Sequence, residues 1–229
     1  MVIVRANSVS AARRHTGPDR FHFESTLLGS GAGDIAGVDE AGRGPLAGPV
    51  VAAAVILPRE WVERGLPAEL DGLDDSKQLT EPQRERFFEF ISASRAVRSA
   101  VRRCDVDVID SINILQATHR AMRESLAALQ PSHALVDGLE VPALGWPQTA
   151  IVKGDTLSYS IAAASVLAKV TRDRLMIEFD REFPGYGFAG HKGYGTPQHL
   201  AALAALGPCP IHRRSFAPLR TQGAQPGWI

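Results

Sequence analysis

The sequence predicts an α/β fold, with a mixed sheet of about five strands flanked by helices and a helical C-terminal part. The predicted strands come first as a neighbouring pair and then alternate with helices, which is the order expected when helices pack on a mixed sheet. One strand of the pair, Val50–Leu57, is a continuous apolar run between prolines. Such a run is typical of a strand that is buried on both faces.

Each predicted element has its own local pattern. Five short apolar stretches predict strands: Ile35–Val38, Val50–Leu57, Ala96–Val101, Ala134–Asp137 and Thr149–Val152. Stretches with helical spacing, or with a proline in the first turn, predict four helices: Glu81–Ala93, Asp107 to just before Pro131, Ser158–Glu182 and Pro197–Leu206. Polar and Gly-rich loops connect these elements, and we expect the chain to be irregular from Pro208 onward.

The two ends of the chain differ from its middle. Residues 1–33 predict a flexible leader, and its last part, Phe21–Gly33, has no regular pattern and ends in Gly-Ser-Gly-Ala-Gly. The leader has no apolar core, so it is not a secretory signal; a disordered leader or an early start codon is favoured over a transit peptide. We expect one folded domain over residues 34–220 and a short tail over residues 221–229.

Composition excludes few classes of function. The 25 basic residues balance the 25 acidic ones, so net charge does not decide for or against a polyanionic partner. Phe183–Ile229 contains no Asp or Glu, which predicts a positive local field. Cys104 and Cys209 lie far apart without metal-binding spacing, which favours reduced thiols in a cytoplasmic protein. The uncharged apolar run Gly44–Pro58 is broken by prolines and too short for a membrane span.

Two adjacent carboxylates, Asp39 and Glu40, follow the first predicted strand. The loop Gly42-Arg43-Gly44 comes directly after them, and its glycines let the backbone approach a ligand closely. At such a strand end both carboxylates can turn toward one point, where they repel each other unless a cation lies between them. A polar corner with a surface Arg–Glu pair is the simpler alternative, and this stretch alone leaves it open.

Two further acids lie near strand ends beside a glycine, Asp137 before Gly138 and Asp155 after Gly154. Strand ends are where ligands bind in α/β sheets, so these acids could meet Asp39 and its neighbour at one edge. Four carboxylates without His or Cys favour Mg²⁺ or Mn²⁺ over zinc. Such a set suits two metal ions about 4 Å apart that act in phosphoryl transfer. Surface Asp-Gly turns are common, so the pattern alone leaves both interpretations open.

Seven motifs resemble bacterial ribonuclease HII, the type 2 ribonuclease H: GVDEAGRGPLAGPV, DDSKQLT, LVDG, KGD, SIAAASVLAKVTRDR, HKGYGT and HRRSF. They occur in the family's order and cover about Ile35–Leu219. DEAGRG together with AAASVLAKVTRD is the most specific part. The resemblance implies a ribonuclease H-like sheet and leaves the first 34 residues and the end of the chain outside it.

The resemblance implies that Asp39, Glu40, Asp137 and Asp155 are the catalytic acids and hold two Mg²⁺ or Mn²⁺ ions. It implies an endoribonuclease that hydrolyses the RNA strand of RNA–DNA hybrids and incises 5′ to single ribonucleotides in duplex DNA, leaving 3′-hydroxyl and 5′-phosphate ends. Ribonucleotide excision repair and RNA primer removal, by a monomer, are the expected roles. Asp173 is the rival fourth acid; we prefer Asp155 because it follows a strand beside a glycine.

Substrate contacts fall into two groups. Gly42, Arg43, Gly44 and Tyr194 match the family elements that sense the 2′-hydroxyl and the RNA–DNA junction, and the 2′-hydroxyl is the group that separates RNA from DNA. Four polar residues outside these elements are candidates for further contacts: Ser76, Lys77, Ser165 and Lys169. A solvated loop and an ordinary ion pair between Lys169 and Asp173 are the alternatives.

Two other classes of function remain open from the residues alone. A non-catalytic nucleic-acid-binding domain would use the basic C-terminal segment, but it needs no acid cluster, because carboxylates repel phosphates when no metal is present. A metal-dependent phosphohydrolase of small molecules would use the acids, but it leaves the Gly-Arg-Gly loop without a role. Loss of activity on chelation would reject the first class, and preference for a hybrid over free nucleotides would reject the second.

Overall fold

A five-stranded mixed sheet forms the centre of the computed structural model, which describes residues 19–220. Its strands are β1 (Ile35–Ala41), β2 (Val50–Ile56), β3 (Arg98–Cys104), β4 (His133–Asp137) and β5 (Gln148–Ile151). The spatial order is β3-β2-β1-β4-β5. β1–β2 and β2–β3 pair antiparallel, whereas β1–β4 and β4–β5 pair parallel. The predicted mixed sheet of five strands is therefore confirmed.

The helices pack on both faces of this sheet. They are α1 (His22–Gly29), α2 (Arg59–Arg64), α3 (Glu81–Ala93), α4 (Val106–Leu129), α5 (Gly154–Leu157), α6 (Tyr159–Glu182), α7 (Phe188–His191) and α8 (Pro197–Leu206). The long predicted helices are confirmed to within a residue or two at their ends, although α4 is interrupted at Asn113, where the backbone is not helical. β3 begins two residues later than predicted and extends to Cys104.

Strand β2 joins the two halves of the core. All seven of its residues are buried, as its uninterrupted apolar sequence predicts. Val51, Ala53 and Val55 face a cluster formed with α3 and α6. The alternate side chains face a second cluster formed with α4. Side chains alternate along a strand, so one strand contributes to both layers.

Helix α6 lies unusually close to β1, because Gly37 has no side chain. A Cβ atom at Gly37 would lie 2.2 Å from the backbone carbon of Ser160, in the first turn of α6. The side chain of Ser158 caps this turn by accepting a hydrogen bond from the N–H of Ile161. This close approach brings the start of α6 directly beneath the central strand.

The interpretation of Phe21–Gly33 as irregular is wrong, because His22–Gly29 forms helix α1. Glu24 is buried and accepts hydrogen bonds from the hydroxyl groups of Ser158 and Ser160 at the start of α6. These tertiary contacts stabilise a helix whose own sequence pattern is weak. Residues 1–18 of the predicted leader, and the tail over 221–229, lie outside the described residues.

The C-terminal part is helical, as predicted, and has its own small core. Tyr186, Phe188 and Cys209 pack with Ala47 and Met176 in a cluster that joins this part to α6 and to the loop after β1. Helix α7 lies within the segment predicted as a Gly-rich loop. Across residues 19–220, none of the helices has the length and apolar character needed to cross a membrane.

Candidate active site

Three carboxylates meet at one edge of the sheet. Asp39 lies on β1, Asp137 ends β4, and Asp155 lies in the short helix α5 that follows β5. One carboxylate oxygen from each lies within 4.8 Å of the others. Because β1, β4 and β5 run parallel, their carboxyl ends share one edge, and this explains why acids far apart in sequence converge.

A tight turn positions two of these acids. Lys153 adopts a left-handed conformation directly after β5, so α5 begins at once. The N–H of Gly154 then donates a hydrogen bond of 2.7 Å to the Oδ1 atom of Asp137. A Cβ atom at Gly154 would lie 2.6 Å from the end of the Ile161 side chain, so a larger residue here would require that side chain to move. The turn thus aligns Asp137 and brings Asp155 beside it.

Burial and mutual repulsion make the ionised forms of these carboxylates less favourable. Burial raises the pKa of Asp39 well above its usual value, and the neighbouring charges of Glu40 and Asp137 raise it further. Burial, with the charges of Asp137 and Asp75, raises the pKa of Asp155 to about 6. Asp39 and Asp155 are each only 5% exposed, so little water screens this repulsion. A bound cation would relieve it.

Glu40 lies beside the three acids and has a different partner. Its carboxylate accepts a hydrogen bond of 3.3 Å from Arg43, while its N–H donates one of 2.6 Å to Asp39. Burial raises the pKa of Glu40, and the charge of Arg43 opposes that rise. The Arg–Glu pair that the sequence left open is therefore present, at the rim of the acid cluster.

A basic side chain faces the acids from the loop before α3. Burial lowers the pKa of Lys77, but the charges of Asp75, Asp39 and Asp155 outweigh burial and leave that pKa raised. The same loop contributes Asp75, which is buried and hydrogen-bonded to Asp155. The sequence analysis missed Asp75, although the two adjacent acids in DDSKQLT could have indicated a further carboxylate near the site.

Arg20 is a second residue that the sequence analysis missed. Its guanidinium donates hydrogen bonds to the backbone oxygens of Asp155 and Leu73, at 2.7 and 2.6 Å. It thereby joins the turn that carries Asp155 to the loop that carries Asp75 and Lys77. Arg20 lies in the segment predicted as a leader, where no local pattern indicated a role.

The Gly-Arg-Gly loop and the loop of Tyr194 lie side by side. A Cβ atom at Gly44 would be 3.6 Å from the ring of Tyr194, and that ring is 47% exposed. The N–H of Leu46 donates a hydrogen bond to the backbone oxygen of Gly193. An exposed aromatic ring therefore stands against an exposed glycine, close to the strand end that carries Asp39.

Comparison with known proteins identifies the family of this chain. The sequence model of the family described as Ribonuclease HII matches residues 36–219. The ribonuclease HII of Geobacter metallireducens is 57% identical over 196 residues, which cover 85% of this chain and 88% of that protein. The ribonuclease HII of Geobacter sulfurreducens is 54% identical over 205 residues, covering 89% and 91% respectively. The chain belongs to the ribonuclease HII family.

Solved structures are similar as well. The ribonuclease HII in the complex with PCNA from Archaeoglobus fulgidus is 28% identical, with a TM-score of 0.66 over 82% of this chain and 97% of that one. Ribonuclease H2 from Pyrococcus horikoshii is 27% identical, with a TM-score of 0.64 over 82% and 96% of the two chains. Membership of the ribonuclease HII family makes this chain a metal-dependent endoribonuclease with ribonuclease H activity on RNA–DNA hybrids.

The other polar residues that the sequence predicted as substrate contacts differ from one another in burial and in their partners. Ser165 does not face solvent: its hydroxyl accepts a hydrogen bond from the N–H of Ser76 and donates one to Ala162. Ser76 is buried too, so this contact holds the loop of Lys77 against α6. On the next turns of α6, Lys169 forms an ion pair of 2.8 Å with Asp173. Asp173, the rival fourth acid, is thus outside the carboxylate cluster.

Proposed function

We propose that the protein incises 5′ to single ribonucleotides embedded in duplex DNA, in addition to cutting RNA–DNA hybrids, with two divalent ions. The products would carry 3′-hydroxyl and 5′-phosphate ends, as ribonucleotide excision repair and RNA primer removal require. The observation that carries the proposal is the convergence of Asp39, Asp137 and Asp155 within 4.8 Å. We assign this activity to residues 34–220 together with the preceding helix α1.

The donor set fits a hard divalent cation. Its ligand atoms are carboxylate oxygens, which suit Mg²⁺ and Mn²⁺. Burial and mutual repulsion, which raise the pKa values of Asp39 and Asp155, make the cluster unfavourable without a counter-charge. Glu40 lies next to the cluster, and it could join by exchanging Arg43 for a metal ion. When bound, such ions supply charge stabilisation for the attacking and leaving oxygens of phosphodiester hydrolysis.

The protein's own residues provide orientation. Asp137 is held by the N–H of Gly154, and the main chain of Asp155 is held by Arg20. The ligands are thus preorganised on strand ends and on a turn anchored by α6, rather than on free loops. Precise placement matters because small errors in the position of a scissile phosphate cost on the order of 100-fold in rate.

Ribose selection would come from the adjacent loops. Gly42, Arg43 and Gly44 present exposed or half-exposed backbone, and Tyr194 presents an exposed ring beside it. Backbone groups can hydrogen-bond a 2′-hydroxyl, while the ring lies against the next sugar.

Phosphate contacts would come from the basic residues around these loops. Lys77 faces the acid cluster, and Lys169 is partly exposed on α6. Ser76 and Ser165 would act indirectly by holding the Lys77 loop. Such contacts contribute affinity without base specificity. We further infer that the enzyme acts as a monomer in the cytoplasm, in keeping with its free cysteines.

The deciding assay uses a labelled DNA duplex that contains one ribonucleotide. The full chain is incubated with Mg²⁺, with Mn²⁺ or with a chelator, and the product ends are mapped. We expect cleavage 5′ to the ribonucleotide with either ion and none with the chelator. Cleavage of a long hybrid without cleavage of this duplex would reject the proposal and leave the family activity intact.

A further inference from the structure

Two fully buried arginines lie beneath the Gly-Arg-Gly loop. Arg172 on α6 is 1% exposed, and Arg213 in the C-terminal segment is 0% exposed. Within residues 19–220, neither guanidinium forms a salt bridge with a carboxylate. Burial lowers the pKa of Arg172 to about 10, and burial with the like charge of Arg172 lowers that of Arg213 to about 9. Unpaired buried charges are costly, so their retention calls for an explanation.

Backbone oxygens of the substrate-facing loops satisfy both guanidinium groups. Arg213 donates hydrogen bonds to the oxygens of Gly42, Arg43 and Gly48, at 2.6, 2.9 and 2.9 Å. Arg172 donates to three further oxygens, those of Ala47, Pro49 and Lys192, each at 3.0 Å. The planar guanidinium suits such simultaneous contacts because its donors lie in a fixed fork.

The contacts of Arg213 determine the direction of the Gly-Arg-Gly peptides. Both peptide bonds, Gly42–Arg43 and Arg43–Gly44, are trans. In a trans peptide, the N–H points opposite to the C=O. Because the two oxygens point inward to Arg213, the N–H groups of Arg43 and Gly44 point outward. Within residues 19–220, neither of these two N–H groups donates a hydrogen bond to a backbone oxygen.

Arg172 links this loop to the one that carries Tyr194. It joins Pro49 and Ala47, which follow the Gly-Arg-Gly turn, to Lys192, two residues before Tyr194. Space is tight, since a Cβ atom at Gly42 would lie 2.0 Å from the Nε atom of Arg172. One guanidinium thus sets the distance between the two loops.

We propose that Arg172 and Arg213 are positioning residues for ribose recognition: Arg213 turns the N–H groups of Arg43 and Gly44 toward the 2′-hydroxyl, and Arg172 holds Tyr194 beside them. The inference rests on the proposed action at single ribonucleotides. It assigns no direct substrate contact to either arginine. Their effect is on discrimination between ribose and deoxyribose, and on placement of the scissile phosphate.

Arg213→Lys tests this proposal, because lysine keeps the charge and loses the fork that spans three oxygens. Three quantities are measured: the single-turnover cleavage rate on the duplex with one ribonucleotide, the affinity for an all-DNA duplex of the same sequence, and the melting temperature. We expect the rate to fall on the order of 100-fold, with affinity for all-DNA within about twofold of the wild type. Arg64→Lys, at an exposed ion-pair partner of Glu60 on α2, is the matched control and should change none of the three quantities.

The outcomes separate the two proposals. Failure of the wild type to cut the single ribonucleotide rejects the proposed function itself. A well-folded Arg213→Lys variant with a wild-type rate rejects the positioning role. A parallel fall in rate, all-DNA affinity and melting temperature shows a purely structural role and also rejects it. Should Arg213→Lys not fold, Arg172→Lys is held to the same criteria, and if neither variant melts cooperatively the positioning role is rejected.

Discussion

The molecule contains two buried clusters of like charge, and they are neutralised in different ways. At the sheet edge, Asp39, Asp137 and Asp155 bring three carboxylates together, with Lys77 as a nearby cation. Under the adjacent loops, Arg172 and Arg213 bring two guanidinium groups together, and among residues 19–220 neither forms a salt bridge with a carboxylate. The arginines are satisfied by six backbone oxygens, whereas Asp39 and Asp155 retain raised pKa values.

The comparison teaches how to separate a site for a ligand from an element of the scaffold. A charge cluster that the chain itself neutralises with hydrogen bonds is complete and rigid. A cluster whose charges remain in conflict needs something from outside, and here carboxylate oxygens call for a divalent cation. Low exposure of charged groups therefore indicates a ligand site at the acid cluster and an element of the scaffold at the arginine pair.

The largest expected effect comes from removing a charge from the acid cluster. Asp137→Asn keeps the shape and the acceptor for the Gly154 N–H but loses the charge that binds a cation. We expect a fall in single-turnover rate of about 1,000-fold or more with Mg²⁺ and with Mn²⁺. Asp155→Asn should also be strongly impaired. Asp173→Asn is the matched control on α6 and should fall far less; the reverse order would exclude Asp155 as the fourth acid.

Removing a charge from the arginine pair should also lower the stability of the fold. Arg172→Met leaves three backbone oxygens without their donor, and each orphaned buried group costs roughly 1–3 kcal/mol. We expect the free energy of unfolding to fall by about 3 kcal/mol, measured by urea denaturation. Stability equal to the wild type would mean that water or a shifted loop replaces the guanidinium.

The loop that carries Tyr194 offers a third test. Tyr194→Ala should lower the single-turnover rate at an embedded ribonucleotide by on the order of 100-fold while lowering affinity for the duplex much less, because phosphate contacts supply most of the affinity. Tyr194→Phe keeps the ring and should stay near the wild-type rate. If Tyr194→Ala melts normally and cleaves at the wild-type rate, this ring does not recognise the junction.

The smallest expected effect is on stability, and its sign differs between the two clusters. Removing a charge from the acid cluster should stabilise the metal-free fold, whereas removing one from the arginine pair should destabilise it. Without metal, Asp137→Asn should stabilise the fold by about 1 kcal/mol, because it relieves repulsion that little water screens. Calorimetry in a chelator should therefore show a melting temperature about 2–4 °C above the wild type. Adding Mn²⁺ should raise the wild-type melting temperature more than that of the variant. A lower melting temperature for metal-free Asp137→Asn would contradict mutual repulsion as the dominant interaction.

The sequence predicted the elements that depend on local pattern. Strand β2 was recognisable because an apolar run suffices to indicate burial on both faces, and Asp137 was recognisable because it ends β4. The prediction that the first strand ends before Asp39 and Glu40 is wrong, because β1 continues through both residues to Ala41. Helix α1 was not predicted because the contacts that stabilise it are distant in sequence. Its Glu24 is hydrogen-bonded to serines more than 130 residues away. The partners of Arg213 are equally distant, since its bond to Gly42 spans 171 positions. No local pattern encodes such contacts.

The placement of Arg20 has a consequence for synthesis of the protein on the ribosome. Arg20 emerges early, but it bonds to the backbone of Asp155, 135 positions later. β1 likewise remains without its parallel neighbour until β4 has been translated. A nascent chain that stalls before residue 155 therefore carries Asp39 and Glu40 but lacks the assembled carboxylate cluster. We therefore expect incomplete translation products to lack nuclease activity.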